Sequence, residues 1–245
     1  MPDADTYLSR LEAKVSEQLK AQRPGYLLGA GSSFLAGEGY PLAFQLWDRI
    51  KDRIDPPDKR AEIQAKLDAG AQGIEQALDL LDDGNPAGGE HRLLVTEAIA
   101  GLFCTLSPPL DHHASFIARL SRRSLPALKV FSLNYDPLIE RAAEHAGVGL
   151  CDGFTGHEHA YFAPAMFDER IGIIRGTHRG KQFDETRKPV HLLKLHGSLG
   201  WYECGIRGIR RCGFSAAIPA ATRRLMVPPQ RRKANDTMTH PYAAL

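Results

Sequence analysis

The sequence predicts an α/β fold in which an open parallel sheet is interrupted by a helical insertion. Three short polar stretches each follow an apolar run, as a loop follows a buried strand: Gly29–Ser33, Leu133–Asp136 and Lys194–Ser198. Ligands of such sheets bind at the carboxyl edge, where the strands end. The three stretches can therefore meet in one crevice although about 60 to 100 residues separate them.

The chain is expected to begin with a helix and a strand. Apolar residues at three-to-four spacing predict an amphipathic helix over 6–22: Leu8, Leu11, Val15 and Leu19. The first strand is predicted near 25–29, directly before the glycine-containing stretch.

Residues 42–123 are predicted to form an almost wholly helical insertion within the sheet domain. Proline and glycine clusters at 56–57, 84–89 and 108–109 divide it into segments. The predicted helices cover 43–53, 60–82, 90–104 and 110–122.

Strand character returns in the second half of the chain. Strands are predicted over 127–133 and 190–195, with a helix over 137–145 and a short strand near 148–151. Past Trp201 periodicity fades, and 205–245 is predicted to be an irregular basic segment. The whole chain, 1–245, is expected to form a single domain.

Composition indicates a soluble, cytoplasmic domain. The 245 residues are 43% hydrophobic, enough to bury a sizeable core. No run approaches the ~18 apolar residues of a membrane span, and the N-terminus lacks a basic region followed by an apolar stretch. We therefore expect no membrane partner.

The four cysteines give no sign of a metal site. Cys104, Cys151, Cys204 and Cys212 form no C-x-x-C pair, so neither a zinc ribbon nor a disulfide framework is indicated. Cys204 and Cys212 could flank a hairpin, but two separate thiols are the better interpretation for a cytosolic protein.

A basic stretch late in the chain has several interpretations. Residues 207–233 contain no acid and eight cations: Arg207, Arg210, Arg211, Arg223, Arg224, Arg231, Arg232 and Lys233. They could contact nucleic acid, a dinucleotide diphosphate or an acidic partner. A net charge of only +2 favours a solvated loop over direct nucleic-acid binding.

The first motif is typical of a diphosphate-binding turn. Gly29-Ala30-Gly31-Ser32-Ser33 follows Tyr26-Leu27-Leu28, and glycine lets a backbone approach a phosphate closely. An ordinary glycine turn is the alternative. Hydride transfer is disfavoured because position 34 is Phe and the acids about 20 residues on, Asp48 and Asp52, fall in a helical pattern.

The other two motifs each have a structural alternative. Asp136 before Pro137 could simply cap a helix, with Asn134 beside it. His196, after an apolar strand, could be a core histidine, but a neutral imidazole with a pKa near ~6.5 also suits a base. Asp111–His113 and His157–His159 lack partners at metal-ligand spacing.

Taken together, these motifs resemble the sirtuin family, and most closely the sirtuin-like NAD hydrolase domains of prokaryotic antiviral defence systems. The resemblance covers roughly residues 24–243. Further residues that support the resemblance are Pro41-Leu42-Ala43 with Leu46-Trp47, Asp152-Gly153-Phe154, and the run from Lys194 through Trp201. It implies a Rossmann-like parallel sheet of the sirtuin type.

The resemblance also implies a set of site residues. Asn134 would lie beside the nicotinamide ribose and hold a water, Asp136 would receive the nicotinamide carboxamide, and His196 would act toward the ribose hydroxyls. The loop around Asp152–Phe154 and Phe162 would form part of the pocket wall. The remaining cofactor-binding residues would be Gly29, Ala30, Gly31, Ser32, Ser33, Gly197 and Ser198.

The implied activity is hydrolysis of NAD to nicotinamide and ADP-ribose, in abortive-infection defence, with NAD as substrate and no metal. Two alternatives stay open: a module that senses NAD or ADP-ribose without turnover, and an NAD-dependent protein deacylase. The missing four-cysteine zinc module argues against the deacylase. Members of this group are held inactive in assemblies, so a homo-oligomer or a regulatory partner is expected.

The resemblance finally implies an end of the fold that the sequence does not reach. Family members continue beyond the region of Pro241-Tyr242 with a helix, a strand and a Gly-Tyr-Ser type turn at the adenosine half of NAD. The sequence stops at Leu245. Three interpretations stay open: a truncated protein, a degenerate one, or one half of a split system whose partner completes the sheet. In each case the sheet of this chain would lack its last strand, which would weaken NAD affinity for this chain alone.

Overall fold

Most of the helices lie in the first half of the chain, and in the computed structural model the strands form three separate sheets. The structure describes residues 4–20, 24–81, 89–122, 128–169, 171–177, 180–187, 189–214 and 217–227. The helices are α1 (Ala4–Leu19), α2 (Ala30–Phe34), α3 (Ala43–Ile50), α4 (Pro57–Asp68), α5 (Ile74–Leu81), α6 (Glu90–Thr105), α7 (Asp111–Ser121) and α8 (Leu138–His145).

The strands are concentrated in the second half of the described chain. They are β1 (Gly25–Leu28), β2 (Lys129–Ser132), β3 (Leu150–Cys151), β4 (Phe154–Thr155), β5 (Ala160–Phe162), β6 (Ile171–Thr177), β7 (Gly180–Arg187), β8 (Val190–Lys194), β9 (Gly197–Glu203), β10 (Ile209–Arg211) and β11 (Arg223–Met226).

A four-stranded parallel sheet with the order β1-β2-β8-β3 confirms the predicted α/β class. Its register pairs Leu28 with Ser132 and Ser132 with Lys194, so three strands end side by side. The residues that follow these three strands consequently start at the same edge of the sheet. The parallel register thus brings the three predicted motifs together.

One face of the sheet is covered by α7 and α8. Both helices pack on the buried residues of β2 and β8. The shared cluster consists of Ile117, Leu120, Leu128, Val130, Ile139, Ala143, Val190 and Leu192. The helix α7, predicted as part of the insertion 42–123, therefore belongs to the packing of the sheet.

The other helices of the insertion form their own apolar cluster. It draws on α3, α4, α5 and α6 and reaches the sheet domain through Leu138, Leu199 and Met226. Five isoleucines are fully or almost fully buried in it: Ile50, Ile54, Ile63, Ile74 and Ile99. The insertion is thus a helical unit that rests against the strand ends.

The single helix predicted over 60–82 is wrong, because the chain forms two helices there. Helix α4 ends at Asp68 and α5 begins at Ile74. Gly70 and Gly73 between them have positive φ values of +99° and +96°, which an α-helix cannot accommodate. The Ala71 N–H closes the end of α4 on the Lys66 carbonyl at 3.1 Å.

A five-stranded sheet, which the sequence analysis did not predict, packs around Trp201. Its order is β11-β9-β10-β5-β4, and all its pairings are antiparallel. Two of its strands, β10 and β11, lie within the segment predicted to be irregular, 205–245. They are short and rich in arginine, so no apolar alternation marked them as strands.

Two further features stand apart from these layers. Strands β6 and β7 pair with each other as an antiparallel hairpin. Helix α1 exposes the apolar residues Leu8, Leu11 and Val15. In the described part of the chain, no helix combines the length and the apolar character needed to cross a membrane. The expected lack of a last strand stays a prediction, because the end of the sequence, 228–245, lies outside the described residues.

Buried histidine on β8 should make the fold sensitive to acid. Burial, followed by Lys129, lowers the pKa of His191, and Asp168 opposes this shift. Its Nδ1 has no hydrogen-bond partner among the described residues. Since the unfolded chain binds a proton near pH ~6.5 and the folded chain only at lower pH, stability should fall as the pH drops below that value.

We expect the urea midpoint to decrease between about pH 7.5 and pH 5.5, and to decrease less in His191→Leu. The exposed His112→Gln variant is the control and should keep the native slope. Because burial also lowers the pKa of His113, some slope should remain in His191→Leu. Equal slopes in the native protein and His191→Leu would contradict this account.

Candidate functional site

A cavity of about 220 Å³ lies at the carboxyl edge of the parallel sheet, between the strand ends and the insertion. The ends of β1, β2 and β8 supply one side of it, and α3, α5 and α6 with the preceding loops supply the other. It is lined by Gly29, Ala30, Ser33, Tyr40, Pro41, Ala43, Leu46, Glu75, Phe103, Leu133, Asn134, Tyr135, Asp136 and His196.

A ladder of hydrogen bonds joins the loop after β2 to the turn after β8. Carbonyls of the segment 132–136 accept from donors of the segment 194–199. The bonds run from Leu195 N to Ser132 (2.9 Å), His196 Nδ1 to Leu133 (3.1 Å), Ser198 Oγ and Leu199 N to Tyr135 (3.3 and 3.2 Å), and Lys194 Nζ to Asp136. We call this set the carbonyl ladder.

Asn134 ties the loop after β2 to the glycine turn after β1. Its Nδ2 donates to the Gly29 carbonyl at 2.9 Å and to Ser33 Oγ at 2.8 Å. Its backbone N–H donates to Ser132 Oγ at 3.1 Å. All side-chain contacts use Nδ2, so Oδ1 receives no hydrogen bond from the described residues and keeps its acceptor capacity.

His196 is held in one tautomer by its partner in the carbonyl ladder. The Leu133 carbonyl can only accept a hydrogen bond, so Nδ1 of His196 carries the proton. In the neutral ring the lone pair is then on Nε2. Gly197, with φ of +77°, lets the chain turn directly after this residue into β9. The ring is thereby prepared to accept a proton through Nε2.

Asp136 has one oxygen committed to the fold and one that is not. Its Oδ1 accepts the Leu138 N–H at 3.1 Å, at the start of α8. Its Oδ2 receives no hydrogen bond from the described residues. The helix-capping interpretation and the binding interpretation of Asp136 therefore coexist, because each uses a different oxygen.

Lys194 and Glu140 form a buried ion pair next to Asp136. Lys194 is 2% exposed and donates both to the Asp136 carbonyl and to Glu140 Oε1, the latter at 3.0 Å. Burial holds the pKa of Glu140 above its usual value, and the Lys194 ammonium only partly opposes this. The Oε2 atom of Glu140 has no partner among the described residues. The Lys194 ammonium thus donates the last hydrogen bond of the carbonyl ladder.

A tight reversal after β1 brings Tyr40 against the cavity. Leu35 and Ala36 adopt left-handed conformations, with φ of 48° and 53°. The Tyr40 N–H then donates to the Ser33 carbonyl at 2.8 Å. Gly39 lies so close to that carbonyl that a Cβ atom would stand 1.9 Å from its oxygen. Only glycine fits there without moving the backbone.

Two aromatic rings and an acid line the cavity opposite the strand ends: Tyr40 from the loop before the insertion, and Phe103 and Glu75 from the insertion itself. Tyr40 and Phe103 pack at 4.8 Å between ring centroids. Burial raises the pKa of Tyr40, and the nearby Asp136 carboxylate raises it further. Burial likewise raises the pKa of Tyr135, and so does Glu75. Both phenols therefore stay protonated and can donate.

The structure brings most of the predicted site residues together. Six of them line the cavity: Gly29, Ala30, Ser33, Asn134, Asp136 and His196. Four do not line it: Gly31, Ser32, Gly197 and Ser198. The Ser32 hydroxyl donates back to the Gly29 carbonyl at 2.7 Å, and beside Gly31 a Cβ atom would meet open space.

Asp152–Phe154 and Phe162 are absent from the cavity lining, contrary to what the resemblance implies. Asp152 is buried and forms an ion pair with Arg211. Phe154 and Phe162 pack around Trp201, with ring centroids 4.9 and 6.2 Å from its ring. Their role in this structure is to build the core of the five-stranded sheet.

The described part of the basic stretch is largely paired within the chain. Besides Arg211, Arg223 meets Glu203 at 2.9 Å and Arg224 meets Glu97 at 3.0 Å. Arg210 stacks over the Tyr161 ring. Three of the five described cations of the stretch thus face a carboxylate, while Arg207 is exposed. The residues 231–233 lie outside the described residues.

The candidate metal motifs do not come together in the described residues. No group of three or more His, Cys, Asp and Glu side chains there could hold a metal ion. His159 instead contacts the Tyr202 hydroxyl at 2.7 Å. The cysteines Cys104, Cys151, Cys204 and Cys212 are free thiols.

Eight residues that line the cavity were not among the predicted site residues: Tyr40, Pro41, Ala43, Leu46, Glu75, Phe103, Leu133 and Tyr135. Leu133 and Tyr135 flank Asn134 in the motif, so their position could have been inferred. The other six come from the insertion or from the two residues just before it, and the docking of these segments onto the sheet leaves no local pattern. For Glu75 the only signal in the sequence was the pair of glycines, Gly70 and Gly73, which separate α4 from α5. Glu75 lies in the first turn of α5, directly after them.

Comparisons with known proteins do not extend this picture, since neither a protein-family model nor a curated protein matches the chain. The site is therefore described by its geometry alone.

The close approach at Gly39 gives a test of the reversal that positions Tyr40. Gly39→Ala should lower the free energy of unfolding by about 1–3 kcal/mol, because the new methyl group would overlap the Ser33 carbonyl. Gly149→Ala is a matched control, since a Cβ atom there meets nothing within 4 Å. Urea denaturation measures both. Equal effects of the two substitutions would refute the proposed overlap.

The buried ion pair gives a second test. Lys194→Met should cost about 3–5 kcal/mol of stability, because it leaves the Glu140 carboxylate buried without its partner. The loss should grow as the pH rises from about 5 to about 8, since the isolated carboxyl is then forced to ionise in the folded state.

The double variant Lys194→Met/Glu140→Gln is the control for lost volume. Because it removes both charges, it should recover much of the stability and flatten the pH dependence. A double variant as unstable as Lys194→Met at every pH would contradict the charge account.

Proposed function

We propose that the protein is a sirtuin-like NAD-binding domain that hydrolyses NAD to nicotinamide and ADP-ribose. The observation that carries this proposal is the convergence of Asn134, Asp136 and His196 on one small cavity beside the Gly29–Ser33 turn. The residues at the sheet edge supply hydrogen-bonding groups, and the insertion closes the cavity with aromatic and aliphatic side chains.

The size of the cavity supports a single ring as its occupant. Pockets for drug-sized ligands measure roughly 300–1,000 Å³, and this cavity measures about 220 Å³. A nicotinamide ring with its carboxamide is small and flat, whereas a whole dinucleotide is far larger. The rest of NAD would extend from the cavity along the Gly29–Ser33 turn, where open space beside Gly29 and Gly31 leaves room for phosphates.

The polar atoms match the needs of such a ring and its ribose. Asp136 Oδ2 can accept from the carboxamide NH₂ group, and Asn134 Oδ1 can hold a water next to the ribose. Nε2 of His196 can accept a proton from a ribose hydroxyl, because Leu133 fixes the proton on Nδ1. Asp136 Oδ2 and Asn134 Oδ1 receive no hydrogen bond from the described residues, and the bond to the Leu133 carbonyl orients the His196 ring.

In the reaction the protein then mainly positions NAD and stabilises the positive charge that develops on the ribose. The bond between the ribose carbon and the ring nitrogen breaks, and nicotinamide leaves as a neutral molecule with the bonding electron pair. The ribose centre develops positive charge, which the carboxylates near the cavity stabilise. Water forms the new bond to carbon and loses a proton to His196 or to solvent.

The biological role proposed for this activity rests on the resemblance alone. Hydrolysis of NAD would deplete an infected cell and so protect its neighbours. A homo-oligomer or a partner protein would regulate the activity.

The decisive experiment measures nicotinamide and ADP-ribose by chromatography after incubation of NAD with the protein. We expect both products from the native chain and at least a roughly 100-fold lower rate from His196→Ala. Asn134→Ala should also lose activity. The exposed His112→Ala variant is the matched control and should retain the native rate.

The other outcomes distinguish the alternatives. Calorimetric NAD binding without products would identify a sensor, and deacylation of an acyl-lysine peptide in place of hydrolysis would identify a deacylase. If the purified chain neither binds NAD nor forms the two products, the proposal is wrong. Thermal unfolding of each variant shows whether a lost rate reflects a lost fold, because Asn134 also joins two strand ends.

A further inference from the structure

One face of the parallel sheet is only partly covered. Side chains of a strand alternate between the two faces, so Tyr26 and Leu28 face α7 and α8 while Leu27 faces the other way. Leu27 is 65% exposed, and its register partner Phe131 is half-buried. We define the open face as the surface formed by four residues of β1 and β2: Gly25, Leu27, Lys129 and Phe131.

An open face is unusual for strands of this kind. Parallel sheets are normally covered on both faces, because their strands carry apolar side chains on both. Over β8 the same side of the sheet is closed, since His191 and Leu193 are buried and the Phe167 ring packs on His191 at 5.4 Å between centroids. In the described part of the structure, Leu27 on the outermost strand has no such cover.

Helix α1 carries an apolar surface that is also uncovered. Leu8, Leu11 and Val15 form one stripe at three-to-four spacing, and they are 53, 47 and 47% exposed. Every residue from 8 to 18 is exposed, so α1 buries no face against its own chain. Helices in proteins obtain most of their stability from burial of such a stripe. The helix and the open face are thus two halves of a contact that a single chain does not make.

The charges beside the two surfaces are complementary. Lys129 is exposed on the open face. Glu12 is exposed on α1 and lies one turn from both Leu8 and Val15, at the border of the apolar stripe. A lysine on one surface and a glutamate on the other favour the pairing of the two surfaces.

The area of the contact favours a reciprocal exchange. A helix of 16 residues is about 24 Å long and ~10 Å wide, so one helix on one face removes at most roughly 500 Å² from water, counted on both sides. A two-fold axis forms the contact twice and raises the total to at most about 1,000 Å², the lower end for a specific interface. A weak dimer in the micromolar range is the expected result.

We propose that two copies of the chain form a two-fold symmetric dimer in which the apolar stripe of each α1 covers the open face of the other copy. The occupant is α1 of a second copy, because α1 leaves the open face of its own chain uncovered. This contact is independent of the activity proposed above.

Sedimentation velocity of the full chain tests the dimer. Over a micromolar dilution series, the mass should rise from the 27.0 kDa of one chain to twice that value. Leu11→Gln on the helix and Leu27→Thr on the open face should each weaken the dimer by about 10- to 100-fold, because each removes a leucine from both contacts. Glutamine and threonine suit a helix and a strand, respectively, and circular dichroism checks that both variants fold.

Two matched controls make the same changes at exposed apolar positions elsewhere. Leu80→Gln alters a helix residue that is 52% exposed, and Ile174→Thr alters a strand residue that is 65% exposed. Both controls should dimerise like the native chain.

Mixing the two variants tests whether the helix and the open face belong to different copies. A mixed dimer has one contact that is native on both sides and one in which both losses fall at the same place. The mixture should therefore associate more tightly than Leu11→Gln or Leu27→Thr alone. No recovery on mixing would overturn the proposal.

Three further results would also overturn it. A chain that stays monomeric throughout the series does not exchange α1, and protection of 8–15 from hydrogen exchange in that monomer would show that α1 covers its own chain. Weakening by Leu11→Gln alone, without weakening by Leu27→Thr, would mean that two α1 helices pair with each other. A dimer that neither variant weakens uses another surface.

Discussion

The carbonyl ladder is the interaction on which the site depends. Main-chain carbonyls of the segment 132–136 cannot pair with each other in the loop they form, so donors of the segment 194–199 satisfy them. The same bonds fix the proton of His196 on Nδ1 and hold Asn134 within reach of the Gly29 carbonyl. One set of hydrogen bonds thus stabilises the fold and arranges the chemical groups.

The last donor of this ladder is the Lys194 ammonium group, and burying its charge costs free energy. A buried Lys194 needs a counter-charge, which Glu140 provides at 3.0 Å, yet Glu140 Oε2 is left without a described partner. Apolar residues of similar volume would serve stability as well or better. An apolar side chain could not donate to the Asp136 carbonyl, however. The ion pair therefore favours a defined position of Asp136 over maximal stability.

The insertion covers one side of the site at the edge of the sheet. Without it, Asn134, Asp136 and His196 would face solvent, where their charges and hydrogen bonds would be screened. The apolar cluster of α3–α6 holds Phe103 and the α5 helix in place, and the reversal at Gly39 holds Tyr40. These residues exclude water from one side of the cavity.

The sequence by itself determined the α/β class, the parallel strands and the three motifs at their ends, because strand periodicity and motif order are local properties of the chain. It also placed Asn134, Asp136 and His196 at one edge, since parallel strands end together. Only the tertiary structure decided that Tyr40, Glu75 and Phe103 complete the cavity and that Asp152–Phe154 does not. Strands β10 and β11 could not be predicted either, because Arg211 of β10 and the two arginines of β11 pair with acids that are distant in sequence. Such contacts depend on how distant segments dock, and no local pattern of residues records that docking.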